Sequence, residues 1–148
     1  MKQVFGLDFK RVILTGDSAG GSLAISLTVM SIVRGFRVPD AVLTSYPTTI
    51  ASPCNFWPSL LSALDDPVLS VSLLNLMAKA YTPEDQFLGC RSQLMSPGLC
   101  APDSVLAQFP KFQMVLAGVC PLKDDGIYFL NRLLKNGVDA YCKEFVLL

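Results

Sequence analysis

The chain has 148 residues, of which 51% are hydrophobic and 16% charged, and its 12 basic and 12 acidic residues cancel to a net charge of zero. This balance argues against nucleic acid and anionic membrane surfaces as partners, because both select basic patches. The size and the apolar composition predict one domain, or part of one, built on a sheet that is buried on both faces.

The cysteines form no Cys-x-x-Cys pair, so we expect free thiols and no zinc or other metal site. They are Cys54, Cys90, Cys100, Cys120 and Cys142. No apolar run reaches the roughly 18 residues of a transmembrane helix, and residues 1–10 have no signal-peptide core. The expected location is therefore the cytosol, with attachment to a membrane or lipid-droplet surface only through partners.

The first predicted strand covers residues 11–15 and is short and β-branched. It leads into Gly-Asp-Ser-Ala-Gly-Gly at residues 16–21, and an apolar run with helical spacing follows over residues 22–33. Strand, tight turn and helix around a serine are typical of the Gly-x-Ser-x-Gly nucleophile elbow, in which Ser18 is the candidate nucleophile. We expect strained dihedral angles at Ser18, and backbone too close to Gly16 and Gly20 to leave room for a Cβ.

The same elbow predicts an oxyanion donor. The backbone N–H of Ala19 is expected near the start of the helix, where N–H groups lack intrahelical partners and the helix dipole favours negative charge. The alternative is a glycine-rich turn that packs helix on strand, or an anion-binding nest. Neither Gly-x-Gly-x-x-Gly nor a lysine-terminated phosphate loop is present to support the nest.

The remaining elements follow in chain order. Gly35 should end the first helix in the left-handed conformation, and Pro39 should prevent its continuation. Strands are predicted at residues 41–45, 112–117 and 140–147, helices at 70–81 and 124–136, and loops at 48–58 and 82–102. The order β-α-β-(α)-β-α-β predicts a parallel sheet of four strands, with the functional residues at the carboxyl ends of the strands.

Several short motifs occur in the order found in one enzyme family. They are residues 16–21, Arg37-Val38-Pro39-Asp40, Tyr46-Pro47, Leu60-Leu61-Ser62, Asp66-Pro67, Ser96-Pro97, Ala101-Pro102-Asp103-Ser104 and residues 121–125. On these motifs the chain resembles the hormone-sensitive lipase family of α/β-hydrolases from about residue 11 onward. The resemblance implies a partial α/β-hydrolase fold, with residues 1–148 as the C-terminal part of a catalytic domain that is incomplete at both ends.

The resemblance also implies an activity and three site residues. The family hydrolyses carboxylic esters, including acylglycerols, without a cofactor, so the implied partner is an ester lipid. By position, Ser18 matches the nucleophile and Ala19 the residue whose N–H binds the oxyanion. Asp17 matches the acidic residue before the serine, for which we expect a positioning role.

The catalytic acid of the family normally stands before Pro121, and this chain has Cys120 there. A thiol cannot hold an imidazolium ionically as a carboxylate does, unless it is a thiolate. Asp124 and Asp125 lie close enough in sequence to substitute for the acid. Their position in the first turn of a predicted helix favours a helix-capping role instead.

The family's His-Gly-Gly-Gly oxyanion loop would precede this sequence, its catalytic histidine would follow it, and the chain itself has no histidine. Two hypotheses remain: an ester hydrolase whose other catalytic groups come from elsewhere, or a non-catalytic module that binds acyl chains or a protein partner. Under both, we expect the chain alone to be inactive. A sheet of four strands would also leave the first strand at an edge, which predicts either self-association through that edge or poor solubility of the chain alone.

Overall fold

The computed structural model describes residues 10–51, 57–82 and 92–146. Four parallel strands form one sheet in the order β1-β2-β3-β4. They are β1 (Ile13–Asp17), β2 (Ala41–Ser45), β3 (Lys111–Ala117) and β4 (Ala140–Phe145). The predicted four-stranded parallel sheet is therefore confirmed. Cys54, Cys90 and the predicted end of the last strand at residue 147 lie outside the described residues.

The helices in these ranges are α1 (Ser18–Arg34), α2 (Pro58–Leu61), α3 (Val71–Tyr81), α4 (Pro97–Cys100), α5 (Asp103–Leu106) and α6 (Lys123–Lys135). The three long helices were predicted, although α1 begins at Ser18 rather than at residue 22. The single-turn helices were not predicted, because one turn is too short to show a 3.6-residue period. Helix α4 lies in the predicted loop at residues 82–102, whereas α5 and all of α2 except Pro58 lie where no element was predicted. No helix in the described ranges has the length and apolarity needed to traverse a bilayer.

The end of α1 follows the prediction from sequence. Gly35 has a φ of +65°, and the N–H of Phe36 donates to the carbonyl oxygen of Ser31 at 2.8 Å. This left-handed stop satisfies carbonyl groups that the helix itself leaves unpaired. It turns the chain back toward the start of β2.

The hydrophobic core lies between α1, α6 and one face of the sheet. Every second residue of β3 is buried there, namely Phe112, Met114 and Leu116. The rings of Phe109, Phe112 and Phe129 meet edge to face, with centroids 5.6 to 6.3 Å apart. This packing fixes α6 against the sheet and so places the first turn of α6 near the carboxyl ends of the strands.

The opposite face of the sheet is exposed in the described part of the chain. Ile13, Leu43 and Tyr141 lie on that face and are 61%, 40% and 57% exposed. On α1, Leu23 and Leu27 are 60% and 43% exposed. The prediction of a sheet buried on both faces is therefore wrong for these residues, because an apolar composition does not say whether a second layer is present.

Candidate active site

Ser18 lies at the turn between β1 and α1. Strand β1 ends at Asp17, and Ser18 is the first residue of α1. Its φ is +48°, in the left-handed region that non-glycine residues rarely adopt. The strained turn predicted at Ser18 is therefore confirmed. It also explains the early start of α1, since the chain passes from strand to helix within one residue.

Of the two glycines predicted to lack room for a Cβ, only Gly16 is crowded by backbone, and Gly21 is the other tightly packed glycine near Ser18. A Cβ on Gly16 would lie 2.4 Å from the carbonyl carbon and oxygen of Gly20. A Cβ on Gly20 would meet nothing nearer than Asp17 Oδ1, at 3.9 Å, so the predicted lack of room at Gly20 is wrong. A Cβ on Gly21 would lie 3.0 Å from Pro47 Cβ and 3.1 Å from the Gly16 oxygen.

A second strained residue, Tyr46, was missed in the sequence. It follows β2, has a φ of +37° and donates its N–H to the carbonyl oxygen of Val115 at 2.7 Å. The turn brings Pro47 against the start of α1, where it faces Gly21. The only signal for this turn in the sequence is the proline after Tyr46, which restricts the residue before it but does not predict a positive φ.

The first turn of α1 presents backbone N–H groups next to Ser18. Helical N–H groups at this position lack an intrahelical acceptor, so the N–H of Ala19 is free of the helix ladder and lies at the positive end of the helix dipole. The hydroxyl of Ser22 lies 2.6 Å from the carbonyl oxygen of Thr48 and 3.2 Å from that of Ser18. Its hydrogen bond to Thr48 connects the first turn of α1 to the segment that follows β2.

A cavity of about 560 Å³ opens at the carboxyl ends of the strands, and we call it the elbow pocket. Ser18 and Ala19 lie in its wall, together with residues after β2, residues after β3 and one side of α3. Most of the wall is apolar and includes Ile50, Trp57, Leu60, Leu74, Met77 and Leu122. Asp125 is the acidic residue of this wall.

Asp17, Cys120 and Asp124 do not line the elbow pocket. The Asp17 side chain is exposed, and it makes no capping hydrogen bond to α1 although Asp17 is the N-cap residue. Cys120 is half-buried, and desolvation raises the pKa of its thiol, with the charges of Asp125 and Asp66 acting in the same direction. Cys120 is therefore a neutral thiol and not a thiolate that could replace a carboxylate.

The sequence predicted that Asp124 and Asp125 cap their own helix. In the structure, their main hydrogen bonds go to other segments. Asp124 Oδ2 accepts a hydrogen bond from the N–H of Ser59 in α2 at 2.8 Å, and the N–H of Asp124 donates to Ser59 Oγ at 3.2 Å. Both aspartates are in the first turn of α6, but their carboxylates bind backbone groups of other segments. Tertiary contacts therefore replace the local cap.

Asp125 is 4% exposed and fastens α6 to the segment after β2. Its Oδ2 accepts hydrogen bonds from the N–H groups of Thr49, at 3.1 Å, and Ile50, at 3.3 Å. Its Oδ1 has no hydrogen-bond partner in the described part of the chain. Burial raises the pKa of Asp125 to about 7, against the backbone N–H groups of Thr49, Ile50 and Gly126, which lower it, and the charge of Asp124 adds to the increase.

Sequence reasoning missed two residues of this site. Trp57 lies in the segment predicted as a loop without a role, yet it lines the pocket and its ring lies 5.6 Å from that of Tyr128 on α6. Thr49 was placed in a loop without a role, and it binds Asp125 through its N–H and, at 2.9 Å, its hydroxyl. The roles of Trp57 and Thr49 both come from contacts with α6, which lies about 70 residues further along the chain. In the described ranges, no three His, Cys, Asp or Glu side chains form a group that could hold a metal ion.

Comparison with known proteins gives the family. A family profile described as alpha/beta hydrolase fold matches residues 1–146. An esterase of Gibberella moniliformis is 32% identical over 137 residues, covering 92% of this chain and 42% of the relative. Hormone-sensitive lipase of Mus musculus is 37% identical over 107 residues, covering 70% of this chain and 14% of the relative.

Among solved structures, brefeldin A esterase, described as a bacterial homologue of human hormone sensitive lipase, superposes with a TM-score of 0.82 at 27% identity. The match covers 92% of this chain and 39% of that one. The chain thus spans less than half the length of these relatives. Profile, relatives and parallel sheet agree, and the chain belongs to the α/β-hydrolases of the hormone-sensitive lipase family.

Proposed function

We propose that this chain carries the nucleophile site of a carboxylic ester hydrolase that acts on acylglycerols or similar ester lipids without a cofactor. The observation that carries the proposal is the strained Ser18 in the wall of an apolar pocket. Relatives named esterase and hormone-sensitive lipase support the reaction class. Because such lipids gather at surfaces, the proposal includes peripheral attachment to a droplet or membrane.

In the proposed reaction, Ser18 Oγ attacks the ester carbonyl carbon, the alcohol leaves, and water releases the acid from the acyl-serine. The N–H of Ala19 stabilises the negative oxygen of the tetrahedral intermediate, assisted by the dipole of α1. Asp17 stays a predicted positioning residue. The attack needs a base to take the Ser18 proton, and this chain contains no histidine.

We therefore also propose that the 148-residue chain does not hydrolyse esters by itself. We expect the chain and its Ser18→Ala variant to hydrolyse p-nitrophenyl butyrate at the same background rate. Cys120→Asp should change nothing, because the acid acts only on a histidine. Turnover that disappears in Ser18→Ala would contradict this expectation and indicate another base.

A chimera tests the ester-hydrolase proposal itself. In the chimera, this chain with Cys120→Asp replaces the matching 42% of the Gibberella moniliformis esterase. The esterase supplies the other 58% (100 − 42) of its own sequence. We expect ester hydrolysis that falls by about 10⁴-fold or more in the Ser18→Ala chimera. A folded chimera without hydrolysis that depends on Ser18 would contradict the proposal.

The second candidate function is a non-catalytic module that binds acyl chains. The observation in its favour is the neutral Cys120 thiol at the position of the acid, in a chain without histidine. An apolar pocket of about 560 Å³ serves binding as well as catalysis. A folded but inactive chimera, together with binding of apolar ligands by the chain, would favour this candidate.

A further inference from the structure

Two residues with a positive φ lie at the carboxyl ends of neighbouring strands. Ser18 follows β1 with a φ of +48°, and Tyr46 follows β2 with a φ of +37°. For non-glycine residues this conformation is unfavourable, and it persists only where surrounding contacts hold it. The contacts between these two turns therefore decide whether Ser18 keeps its conformation.

The segment after β2 meets the first turn of α1 at two successive residues. A Cβ on Gly21 would lie 3.0 Å from Pro47 Cβ, so the chain is closely packed there. At the next position, Ser22 Oγ donates to the carbonyl oxygen of Thr48 at 2.6 Å. The same Oγ lies 3.2 Å from the carbonyl oxygen of Ser18, one helical turn earlier. One side chain thus contacts both the backbone of Ser18 and the segment after β2.

The acceptor of the Ser22 bond is itself held on both sides. Before it, the N–H of Tyr46 donates to the carbonyl oxygen of Val115 on β3 at 2.7 Å. After it, the N–H of Thr49 donates to Asp125 Oδ2 on α6 at 3.1 Å. Thr48 therefore lies between two anchored neighbours, and a group that binds its carbonyl oxygen is fixed relative to the sheet.

We propose that Ser22 is a positioning residue, whose hydroxyl bond to Thr48 holds the first turn of α1 so that Ser18 keeps its left-handed conformation in the wall of the elbow pocket. This inference deepens the proposed function and rests on it for the role of Ser18 as nucleophile. In the proposed reaction Ser22 transfers no proton and acts through the backbone of Ser18. Its effect on rate is geometric, because attack on a carbonyl carbon requires a precisely placed nucleophile.

An ordinary serine in a helix supplies the comparison. Serine hydroxyls inside helices commonly donate to the carbonyl oxygen four residues earlier, which is a local contact. Ser31 of α1 does this, with a bond of 2.8 Å to the carbonyl oxygen of Leu27. Ser31→Ala therefore removes a hydroxyl of the same helix without removing the bond between Ser22 and Thr48, which makes it the matched control.

A cycle of substitutions measured by urea unfolding tests whether Ser22 holds Ser18. Ser18→Gly removes the cost of the positive φ, because glycine adopts this conformation freely. Where the Ser22 bond imposes the conformation, that gain should be present, and without the bond the turn relaxes and the gain is lost. We expect Ser18→Gly to raise the folding equilibrium constant about threefold more in the unmodified chain than in Ser22→Ala. In Ser31→Ala, Ser18→Gly should act as it does in the unmodified chain.

The chimera with the Gibberella moniliformis esterase supplies a kinetic test. In it, Ser22→Ala should lower kcat about tenfold and change KM by less than about twofold, since the apolar wall is untouched. Ser22→Thr keeps a hydroxyl at this position and should restore most of kcat. Ser31→Ala should leave both constants unchanged.

Two results would overturn the proposal: an equal effect of Ser18→Gly with and without Ser22→Ala, or a Ser22→Ala chimera with the kcat of its parent. A purely structural role of Ser22 gives the first of these, because it lowers stability by the same amount in both backgrounds. Alanine only removes one oxygen atom, so the packing of α1 is preserved in the variant. The urea cycle involves no ester and decides the inference even if the chimera does not hydrolyse esters, which keeps the two failures distinct.

Discussion

At the scale of the residue, the turn at Ser18 uses its glycines for different reasons. Gly16 has no room for a Cβ because the backbone of Gly20 lies against it. Gly20 contributes that backbone, and its own Cα faces enough space for a methyl group. A Gly-x-Ser-x-Gly pattern therefore does not imply that both glycines are required by crowding.

The two glycines should respond differently to the same substitution. We expect Gly16→Ala to lower the free energy of unfolding by about 3 kcal/mol, because a Cβ would lie 2.4 Å from backbone atoms that must move. Gly20→Ala lies within α1 and should raise it by up to about 1 kcal/mol through helix propensity. Urea unfolding of the two variants checks this, and equal destabilisation would contradict the assignment.

At the scale of the element, the aspartates of α6 join segments that are distant in the chain. Asp124 binds α2, and Asp125 binds the segment after β2, so the start of α6 fixes two walls of the elbow pocket. Local dipole arguments place acidic residues in the first turn but do not say which N–H groups they bind. The position of α6 over the sheet decides that.

The Asp125 contact should make stability depend on pH in an unusual direction. Its pKa rises from 3.8 in the unfolded chain to about 7 in the folded one, so the folded state binds the proton more tightly. Its contribution to the free energy of unfolding is then full below pH 4 and declines up to pH 7, by at most about 1.4 kcal/mol per pH unit.

Urea unfolding of the unmodified chain and of Asp125→Asn between pH 4 and 8.5 tests this. Asparagine keeps the size of the side chain and does not titrate. As the pH rises from 4 to 7, we expect the free energy of unfolding of the unmodified chain to fall relative to that of Asp125→Asn. A constant difference would show that Asp125 keeps an ordinary pKa, and a shift the other way would show that its pKa is lowered in the folded state; either result contradicts the prediction.

At the scale of the whole molecule, the described residues leave apolar surface uncovered. Within residues 10–51, 57–82 and 92–146, strand β1 pairs with β2 on one side only, and no strand of these ranges pairs with its other side. Ile13 on β1 and Leu23 on α1 are 61% and 60% exposed. Edge strands of this kind pair readily with other chains.

We therefore expect the isolated chain to self-associate at micromolar concentration in sedimentation velocity experiments. Ile13→Lys should reduce the associated fraction, because a charged side chain on an edge strand opposes pairing. Val68→Lys is the matched control, since Val68 is 81% exposed and lies in the loop between α2 and α3. A monomer at all concentrations, or equal effects of the two substitutions, would contradict association through β1.

The sequence by itself determined the parts of this protein that depend on neighbours in the chain. Strand, turn and helix around Ser18, the stop at Gly35 and the order of four parallel strands all follow from local patterns, since propensity, periodicity and glycine conformation act over a few residues. The strand at Ala41–Ser45 even matches its predicted bounds. The family resemblance, read from motifs in order, is likewise a property of the sequence.

Only the tertiary structure decided which side chains share a pocket. It placed Asp125 with Ser18 and left Asp17, Cys120 and Asp124 outside, although all lie in or beside the predicted motifs. It also left one face of the sheet exposed where composition predicted burial. The reason is physical: these outcomes depend on contacts between segments far apart in the chain, and such contacts form only when α6, the sheet and the segment after β2 pack together.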